Sequence, residues 1–313
     1  MAKQQARSPY ATEAEYWRSA ATRAWAEQHE RQDRALAGLA EATLDLAAPQ
    51  PGERVLDIGC GAGTTLLELA ARVGPNGHVL GADISERSAA RARERLAAAG
   101  LPQAEVICAD ASTHPFAPGS RDLAFSRLGI MFFSDPVAAF ANIRRAMKPE
   151  GRLALAVFRE PRENLWPNAP LDAVRHLLPP PTPAAPQASA MFSWADPARV
   201  HQILSEAGFG EVSLSPVDLE YQLAGAGGAA EAADFALLFG PLTRILPGLP
   251  LERQQAVRSA LEAFFESYVT PQGVALAGRV LGRAGAGLRR PPRPLRIDPV
   301  VFPISREISE SCP

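Results

Sequence analysis

Residues 55–69 read VLDIGCGAGTTLLEL, and this stretch decides the fold. Val55–Ile58 predict a short buried strand, and the apolar residues after the following turn repeat with helical spacing. The three glycines of that turn, Gly59, Gly61 and Gly63, allow a tight bend in which the backbone comes close to a ligand. A strand, a glycine-rich turn and a helix N-terminus together predict a site for a nucleotide-like ligand, because the first N–H groups of the helix are free.

Further apolar runs follow this stretch, separated by segments with helix signals. They cover residues 78–82, 105–108, 123–125 and 153–157. Each run is short and nearly continuous in apolar residues, which is typical of parallel strands buried on both faces. The sequence therefore predicts an α/β fold, with a doubly wound and mostly parallel sheet between two layers of helices.

The spacing of polar residues indicates which ligand the turn binds. A dinucleotide fingerprint needs a glycine at position 64, where this chain has Thr64. Asp57 lies two residues before the first glycine, and Asp83 and Asp110 follow the next two strands. Taken singly, Asp83 could cap a helix and Asp110 could be a turn residue. Because parallel strands end at one edge of a sheet, we expect the acids to meet there, able to accept ribose hydroxyls and an adenine amino group.

This arrangement resembles the class I S-adenosylmethionine-dependent methyltransferases. VLDIGCGAG is similar to their first motif, GADIS to their acidic ribose motif and ICADAS to their adenine motif, while residues 125–158 resemble the ubiquinone/menaquinone C-methyltransferase-like branch. The resemblance implies a Rossmann-like methyltransferase fold and S-adenosyl-L-methionine as cofactor, but it does not fix the substrate. The apolar composition of residues 159–195 and 231–268 suggests a small, apolar or aromatic methyl acceptor. The cofactor-binding residues that the resemblance implies are Asp57, Gly59, Cys60, Gly61, Gly63, Asp83, Ile84, Asp110, Ala111 and Arg127.

The catalytic groups are less clear from the sequence, and no metal ligands are expected. Methyl transfer from a sulfonium relies largely on the reactivity of the cofactor, so the absence of an obvious base is compatible with it. Weak candidates for a catalytic role are His114, Arg127 and His29. The residues that we expect to contact the acceptor are Trp25, Met131, Trp166 and His176.

The segments around the predicted sheet suggest how the chain is organised. Residues 1–50 are predicted to form two helices, the first beginning with a capping box of Thr12 and Glu15, and the two together form an expected N-terminal helical cap. The α/β core is expected over 51–223, with a lid insertion at 159–195. A C-terminal helical substrate lid is expected over 224–282, with a Gly/Ala-rich stretch at 224–230, helices at about 231–246 and 251–268, and a final strand that starts at Val274 and returns to the sheet. Arginines and prolines replace apolar periodicity in 283–313, which predicts a disordered tail.

Composition excludes several classes of protein. The 313 residues are 47% hydrophobic and 21% charged with a net charge of −2, which argues against wholesale disorder and against a nucleic-acid or anionic-membrane partner. Three scattered cysteines predict neither a disulfide framework nor a zinc site. The sequence has no long apolar run and no secretion-type segment at its start, so we expect a cytoplasmic protein without stable membrane insertion and with a small-molecule acceptor as its partner.

Two other functions fit the same motifs. A nicotinamide-dependent oxidoreductase would use a similar sheet, although Thr64 and the helical region before the first strand weigh against it. A non-catalytic adenosyl-ligand-binding module would keep the glycines and acids without turnover. The sequence leaves the identity of the acceptor and the oligomeric state open.

Overall fold

The computed structural model describes residues 12–180, 190–210, 212–214, 217–276 and 295–303, the last of these ranges for its backbone alone. Within them helices and strands alternate from the first strand onward. The α-helices are α1 Glu13–Arg18, α2 Arg23–Glu27, α3 His29–Ala35, α4 Ala37–Ala47, α5 Thr64–Val73, α6 Glu86–Ala99, α7 Pro136–Ala146, α8 Leu165–Ala173, α9 Pro197–Glu206, α10 Gly228–Phe239 and α11 Leu251–Glu266. The strands are β1 Arg54–Ile58, β2 His78–Asp83, β3 Ala104–Cys108, β4 Arg121–Arg127, β5 Met147–Phe158, β6 Ser213–Leu214, β7 Val217–Leu219, β8 Tyr221–Ala224, β9 Val269–Thr270, β10 Gly273–Leu276 and β11 Leu295–Pro303.

The main sheet has the strand order β3-β2-β1-β4-β5-β11-β6, and β7 also pairs with β11. Strands β1 to β5 are parallel, as the apolar runs predict. In the central strand β1, Asp57 lies opposite Gly81 of β2 and Phe125 of β4. The chain passes from β1 to β2 on one side and returns to β4 on the other, so a crevice opens at the carboxyl end of β1, where open α/β sheets bind ligands.

Helices cover both faces of this sheet, and each face has its own buried cluster. Leu66, Leu69 and Val73 of α5 pack on one face and are almost completely buried. Phe140 and Ile143 of α7 pack on the other face and are fully buried. The doubly wound α/β fold is thereby confirmed, and its rigid core fixes the edge at which the strands end.

The N-terminal region contains four short helices instead of the two that the periodicity suggests. The expected capping box begins α1: Glu15 N–H donates to Thr12 Oγ1 at 3.1 Å, and Thr12 N–H donates to Glu15 Oε2 at 3.2 Å. The helix then ends at Ser19, whose backbone is extended. Trp17 and Trp25 nevertheless remain neighbours, with ring centroids 5.2 Å apart, so the break preserves the aromatic face.

Two expectations for the C-terminal region need correction. The segment that starts at Val274 does not return to the main sheet, because Gly273–Leu276 pairs with β8 in a separate three-stranded sheet of order β8-β10-β9. The strand beside β5 is Leu295–Pro303, which lies inside the tail expected to be disordered. Its backbone pairs with seven consecutive positions of β5, from Arg152 to Phe158. The rest of that tail, 283–294 and 304–313, lies outside the described residues.

The helix expected to follow the Gly/Ala-rich stretch is shorter than its apolar residues suggest. It ends at Phe239, and short 3₁₀ turns over Pro241–Arg244 and Leu246–Gly248 lead to α11. Prolines at the start of both turns explain the change, since proline cannot continue an α-helix. None of the helices in the described part of the chain has the length and apolar character needed to cross a bilayer.

Candidate active site

The glycine-rich turn after β1 has the backbone that only glycine adopts at low cost. Gly59, Gly61 and Gly63 have φ angles of +68°, +55° and +90°. A Cβ atom on Gly59 would lie 2.8 Å from the Cα of Gly129, in the loop after β4. The two loops therefore touch backbone to backbone. Gly63 leads into α5 without a side-chain cap, so the first turn of that helix keeps N–H groups available to a ligand.

Asp83, at the end of β2, is tied to the glycine turn. Its Oδ2 accepts a hydrogen bond from Gly61 N–H at 2.9 Å, and its Oδ1 accepts one from Ser85 N–H at 2.8 Å. Burial raises the pKa of this carboxyl, and these two backbone hydrogen bonds oppose the rise. Each carboxylate oxygen still has a lone pair for another donor. The side chain can therefore accept two hydroxyl groups from a ligand in the adjoining cavity.

Asp57 lies beneath the turn and does not reach that cavity. It is fully buried, and its Oδ2 accepts a hydrogen bond from Thr65 Oγ1, in the first turn of α5, at 2.8 Å. Its Oδ1 has no hydrogen-bond partner. Burial raises the pKa of Asp57 to about 7, against the opposing effects of Thr65 and the Arg127 guanidinium. Asp57 thus supports the turn from below, although the sequence groups it with the residues that contact the cofactor.

Asp110 follows β3 and lies at the same edge. Its Oδ1 accepts hydrogen bonds from the Ser112 backbone N–H at 3.0 Å and the Ser112 hydroxyl at 2.5 Å. Its Oδ2 lies 3.7 Å from the Arg18 guanidinium. Asp110 lines the cavity together with Ile84 and Ala111. The second and third strands thus present their terminal residues to one hollow, as expected from a parallel sheet.

This hollow continues into a cavity of about 1810 Å³ that extends from the glycine turn to the helices above the sheet. Ligand pockets usually measure about 300–1,000 Å³, so this cavity has room for two reactants side by side. The carboxylates among its described lining residues, Asp83 and Asp110, belong to the strand edge. Further lining residues come from the N-terminal helices and from the region after β5. The cavity is therefore built by the sheet on one side and by the N-terminal helices and the region after β5 on the other.

The structure brings most of the residues predicted from the sequence to this cavity, but not all. Its lining includes Gly59, Cys60, Gly61, Asp83, Ile84, Asp110, Ala111, Arg127, Trp25, Met131 and Trp166. Asp57 and Gly63 lie outside the lining. Burial raises the pKa of the Cys60 thiol well above its usual range, so Cys60 is not a thiolate nucleophile.

No histidine in the described ranges lines the cavity. His29 is buried, with its Nδ1 3.2 Å from the carbonyl oxygen of Ala26. His114 stacks edge to face on Phe116, and His176 is exposed. The described residues also contain no group of three or more His, Cys, Asp or Glu that could hold a metal ion. The predicted histidine candidates are therefore not brought to the reacting centre.

A continuous series of aromatic rings, called here the aromatic wall, also lines the cavity. Neighbouring rings along it have centroids between 4.8 and 6.5 Å apart. Tyr221 was missed by sequence reasoning because it belongs to no motif, and Phe158 ends the stretch 125–158 but was not singled out as a site residue. The wall consists of Trp17, Trp25, Phe132, Phe158, Trp166, Phe192, Tyr221, Phe235 and Phe239.

An ion pair that the sequence also did not reveal ties the N-terminal helices to the glycine turn. Asp33 of α3 binds Arg95 of α6, with 2.9 Å between Oδ2 and Nη2. The Thr64 hydroxyl donates to the other Asp33 oxygen, and Arg95 Nη1 donates to the Ala62 carbonyl at 2.9 Å. Side-chain exposure of 20% for both Asp33 and Arg95 makes this contact partly buried. The turn is consequently held from the N-terminal side as well as from the sheet.

The N-terminal helices also contact the region after β5. Glu13 of α1 binds Arg244 at 2.9 Å, and Arg34 of α3 binds Glu231 of α10. The Arg244 guanidinium also lies 3.7 Å from the centroid of the Tyr16 ring. These contacts join the N-terminal helices to the region after β5.

The chain is similar in sequence to known methyltransferases. The family described as "Methyltransferase domain" matches residues 55–151, from β1 into β5. The chain is 36% identical over 194 residues to a nocamycin O-methyltransferase from Saccharothrix syringae, which covers 58% of this chain and 68% of that protein. It is 29% identical over 178 residues to a demethylmenaquinone methyltransferase from Listeria monocytogenes, covering 54% of this chain and 75% of that protein.

Among solved structures, the YcgJ protein from Bacillus subtilis has a similar fold. The TM-score is 0.51 at 17% sequence identity, and the match covers 86% of this chain and 98% of that one. At this identity the likeness concerns the fold alone.

Proposed function

The chain belongs to the class I S-adenosylmethionine-dependent methyltransferases, and we propose that it methylates a small, apolar or aromatic acceptor held against the aromatic wall. S-adenosylmethionine supplies a methyl carbon made electrophilic by the adjacent sulfonium. The observation that carries the proposal is the single cavity that joins the glycine turn to the aromatic wall. Two reactants held in one cavity gain up to about 7–11 kcal/mol of barrier lowering from orientation.

We propose that the residues at the strand edge hold the adenosyl group. Asp83 would accept the ribose hydroxyls, supported by the free lone pairs of a carboxylate that is already oriented by Gly61 and Ser85. Asp110 and Ala111 would read the edge of adenine, and Ile84 would pack on its face, since all three line the cavity beside Asp83. Asp57 would act indirectly, by positioning α5 through Thr65.

We also propose that the segments outside the sheet enclose the acceptor. Residues 1–50 would form a cap, while 159–195 and 224–282 would form a lid. The ion pairs Glu13–Arg244 and Arg34–Glu231 support this arrangement, because they join the proposed cap to the proposed lid. A closed cavity would exclude water and strengthen the electrostatic interactions inside it.

The described part of the chain favours a small-molecule acceptor in other ways too. The net charge of −2 argues against a nucleic-acid partner. We keep a cytoplasmic location as a proposal that cell fractionation would test. The nicotinamide alternative and the non-catalytic alternative are not favoured, because the curated relatives described above are methyltransferases.

Calorimetric titration with S-adenosylhomocysteine tests the cofactor half of the proposal. The wild-type chain is expected to bind it, and Asp83→Ala is expected to bind it about 10- to 100-fold more weakly. A hydrogen bond to a charged group contributes about 1.5–3 kcal/mol, which corresponds to that loss of affinity.

Asp122→Ala is the matched control, since Asp122 lies near the start of β4, at the opposite edge of the sheet. Its affinity for S-adenosylhomocysteine should stay within about twofold of wild type, as expected for a site without contact to the ligand. Wild-type protein that fails to bind at millimolar ligand would overturn the proposal, and equal losses in the two variants would remove the role of Asp83.

A further inference from the structure

The cavity contains buried polar atoms that the protein leaves without partners. Seven buried side-chain nitrogen or oxygen atoms among the described residues have no hydrogen-bond partner, and four of them belong to residues that line this cavity. An unsatisfied buried polar group costs about 1–3 kcal/mol, so such atoms mark a place where a ligand supplies the partner. The four are Trp17 Nε1, Arg127 Nη1, Trp166 Nε1 and Tyr221 Oη.

The chemistry of these atoms restricts the ligand. The indole N–H groups and the guanidinium are donors only, while the Tyr221 hydroxyl donates or accepts. None of the four is an acceptor-only atom. The ligand that complements them therefore has oxygen acceptors, and an amine acceptor, which would itself donate hydrogen bonds, fits them poorly.

Arginines are the charged lining residues near the aromatic wall. Asp83 and Asp110 are the lining carboxylates and belong to the strand edge, whereas the lining near the aromatic wall contains arginines and no carboxylate among the described residues. Arg175 and Arg244 are paired with Asp172 and Glu13. Arg127, at the end of β4, has Asp33 and Asp57 within electrostatic reach, but its Nη1 has no hydrogen-bond partner and is left for an anionic ligand.

Arg127 and Tyr221 lie within electrostatic reach of each other. Burial lowers the pKa of the Arg127 guanidinium, and the Tyr221 side chain is among the groups that oppose this change. Burial likewise raises the pKa of Tyr221, and Arg127 opposes that rise. Tyr221 comes from β8, in the second sheet, and its ring lies 5.7 Å from that of Trp166. Tyr221 and Trp166 are nearly inaccessible to solvent, at 1% and 4% exposure.

We propose that Arg127 and Tyr221 form an oxyanion subsite, which binds a flat aromatic or enolic acceptor through its ionised hydroxyl while the N–H of Trp166 binds a second oxygen. This subsite rests on the proposed methyl transfer and names its acceptor class. It also explains how a cavity without a lining histidine could work, because an acceptor bound as its anion needs no general base at the moment of transfer.

The reaction at this subsite balances simply. The acceptor hydroxyl releases its proton to water when it binds, and its oxygen lone pair then forms the bond to the methyl carbon. The carbon–sulfur bond breaks with its electron pair staying on sulfur. The negative oxygen and the positive sulfonium thereby become a neutral ether and a neutral thioether, a cancellation of charge that a buried site of low dielectric favours.

The test uses 7-hydroxycoumarin as the probe, with 7-methoxycoumarin as its matched control ligand, both added to the complete chain with S-adenosylhomocysteine. Fluorescence excitation distinguishes the neutral phenol from the phenolate. Below the solution pKa of the probe, the wild-type complex should bind the hydroxy compound as phenolate, about 10- to 100-fold more tightly than the methoxy compound.

Two variants assign the effect to the subsite. Tyr221→Phe should weaken 7-hydroxycoumarin binding about tenfold and leave S-adenosylhomocysteine affinity within about twofold, because only one hydroxyl is removed. Arg127→Gln should abolish phenolate binding. Tyr268→Phe is the control, since this tyrosine lies after α11 and does not line the cavity.

Several results would overturn the subsite. For the wild-type complex, they are failure to bind either coumarin, equal affinity for the two coumarins, and binding of 7-hydroxycoumarin as the neutral phenol. For Arg127→Gln, it is loss of S-adenosylhomocysteine binding while phenolate binding is kept. The last result would assign Arg127 to the cofactor. A wild-type chain that does not bind S-adenosylhomocysteine would instead remove the proposed function itself, so the two failures are distinguishable.

Discussion

The two halves of the cavity are built in opposite ways. At the strand edge, Asp83 and Asp110 are each oriented by hydrogen bonds from nearby backbone or hydroxyl groups. In the aromatic wall, Trp166 Nε1 and Tyr221 Oη are buried without a hydrogen-bond partner, and so is Nη1 of Arg127 at the end of β4. The first half is organised before a ligand arrives, whereas the second half is completed by the ligand.

The halves also differ in where their residues lie along the chain. The strand-edge residues follow consecutive strands within residues 57–111, while the wall draws on positions from Trp17 to Phe239. A site made from consecutive strand ends requires only the sheet. A site made from distant segments requires the whole chain to fold, so the wall is the half that depends on tertiary contacts.

The largest expected effect concerns Asp57, which lies beneath the strand edge. Unlike Asp83 and Asp110, it has a carboxylate oxygen, Oδ1, that is buried without a hydrogen-bond partner. Its pKa of about 7 in the folded protein lies above the value of about 3.8 of the unfolded chain. Between these values the folded state holds a proton that the unfolded chain has lost, so the group's contribution to stability falls as pH rises from about 4 to about 7. The gap corresponds to as much as about 4 kcal/mol.

Asp57→Asn should remove this slope, so the free energy of unfolding of the variant should rise relative to wild type as the pH increases. Urea unfolding at pH values below and above this window measures it. Asp45→Asn is the control, because the Asp45 side chain is 64% exposed. If the free energy of unfolding changed with pH in the same way in wild type and in Asp57→Asn, the pKa of Asp57 would not be raised in the folded protein.

A second prediction concerns the contact between the two loops at the strand edge. In Gly129→Ala the added methyl would lie 2.7 Å from the carbonyl oxygen of Ile58 and 3.0 Å from the Cα of Gly59. Backbone atoms must shift to relieve this, so we expect a loss of about 1–3 kcal/mol of stability. Affinity for S-adenosylhomocysteine should fall about tenfold, since about 1.4 kcal/mol of strain in the loop corresponds to that factor.

Gly248→Ala makes the same change where the added methyl meets nothing within 4 Å. Thermal unfolding measures the stability of both variants, and calorimetry measures their affinity for S-adenosylhomocysteine. Comparing them separates the effect of the backbone contact at Gly129 from the general effect of a glycine-to-alanine change. If Gly129→Ala behaved like Gly248→Ala, the strand edge would be less rigid than the contact between its loops suggests.

The smallest effect is expected from a single donor in the wall. Trp166→Phe keeps a ring at this position and removes the unpartnered N–H, so 7-hydroxycoumarin should bind about 2- to 10-fold more weakly. S-adenosylhomocysteine affinity should not change. Trp194→Phe is the control, because Trp194 is buried outside this cavity. Fluorescence titration that finds both variants equal to wild type would show that Trp166 only packs.

Much of the fold and of the strand edge could be predicted because its signals are local. Buried parallel strands such as Val55–Ile58 have continuous apolar runs, and Asp83 and Asp110 stand directly after two of them. The Asp135-Pro136 helix start also follows local rules: Asp135 Oδ1 accepts a hydrogen bond from Ala138 N–H at 3.0 Å. Such features need no knowledge of the distant chain.

The rest could not be predicted because it depends on partners far apart. Asp33 and Arg95 are 62 positions apart, and no local sequence pattern predicts that their side chains pair. Tyr221 is an ordinary strand residue until β8 brings it to Trp166. The final strand, Leu295–Pro303, lies in a proline- and arginine-rich segment where pairing with β5 overrides the local composition.

The same division limits what family resemblance conveys. The matched methyltransferase region covers residues 55–151, and of the nine wall residues Phe132 alone falls inside it. A relative can therefore share every adenosyl-binding motif and differ at nearly all positions that surround the acceptor.

The pairing of β11 with β5 has a consequence for how such a protein can diversify. The chain leaves β5 at Phe158, and Ile297 of β11 lies directly opposite it. Topologically, most of the wall therefore belongs to one very long hairpin connection, whose two ends are adjacent whatever its contents. Closing a connection of twice the length costs only about 0.6 kcal/mol more. The whole connection can thus be replaced during evolution without any change in the order of the parallel strands. The same sheet would then bind a different acceptor.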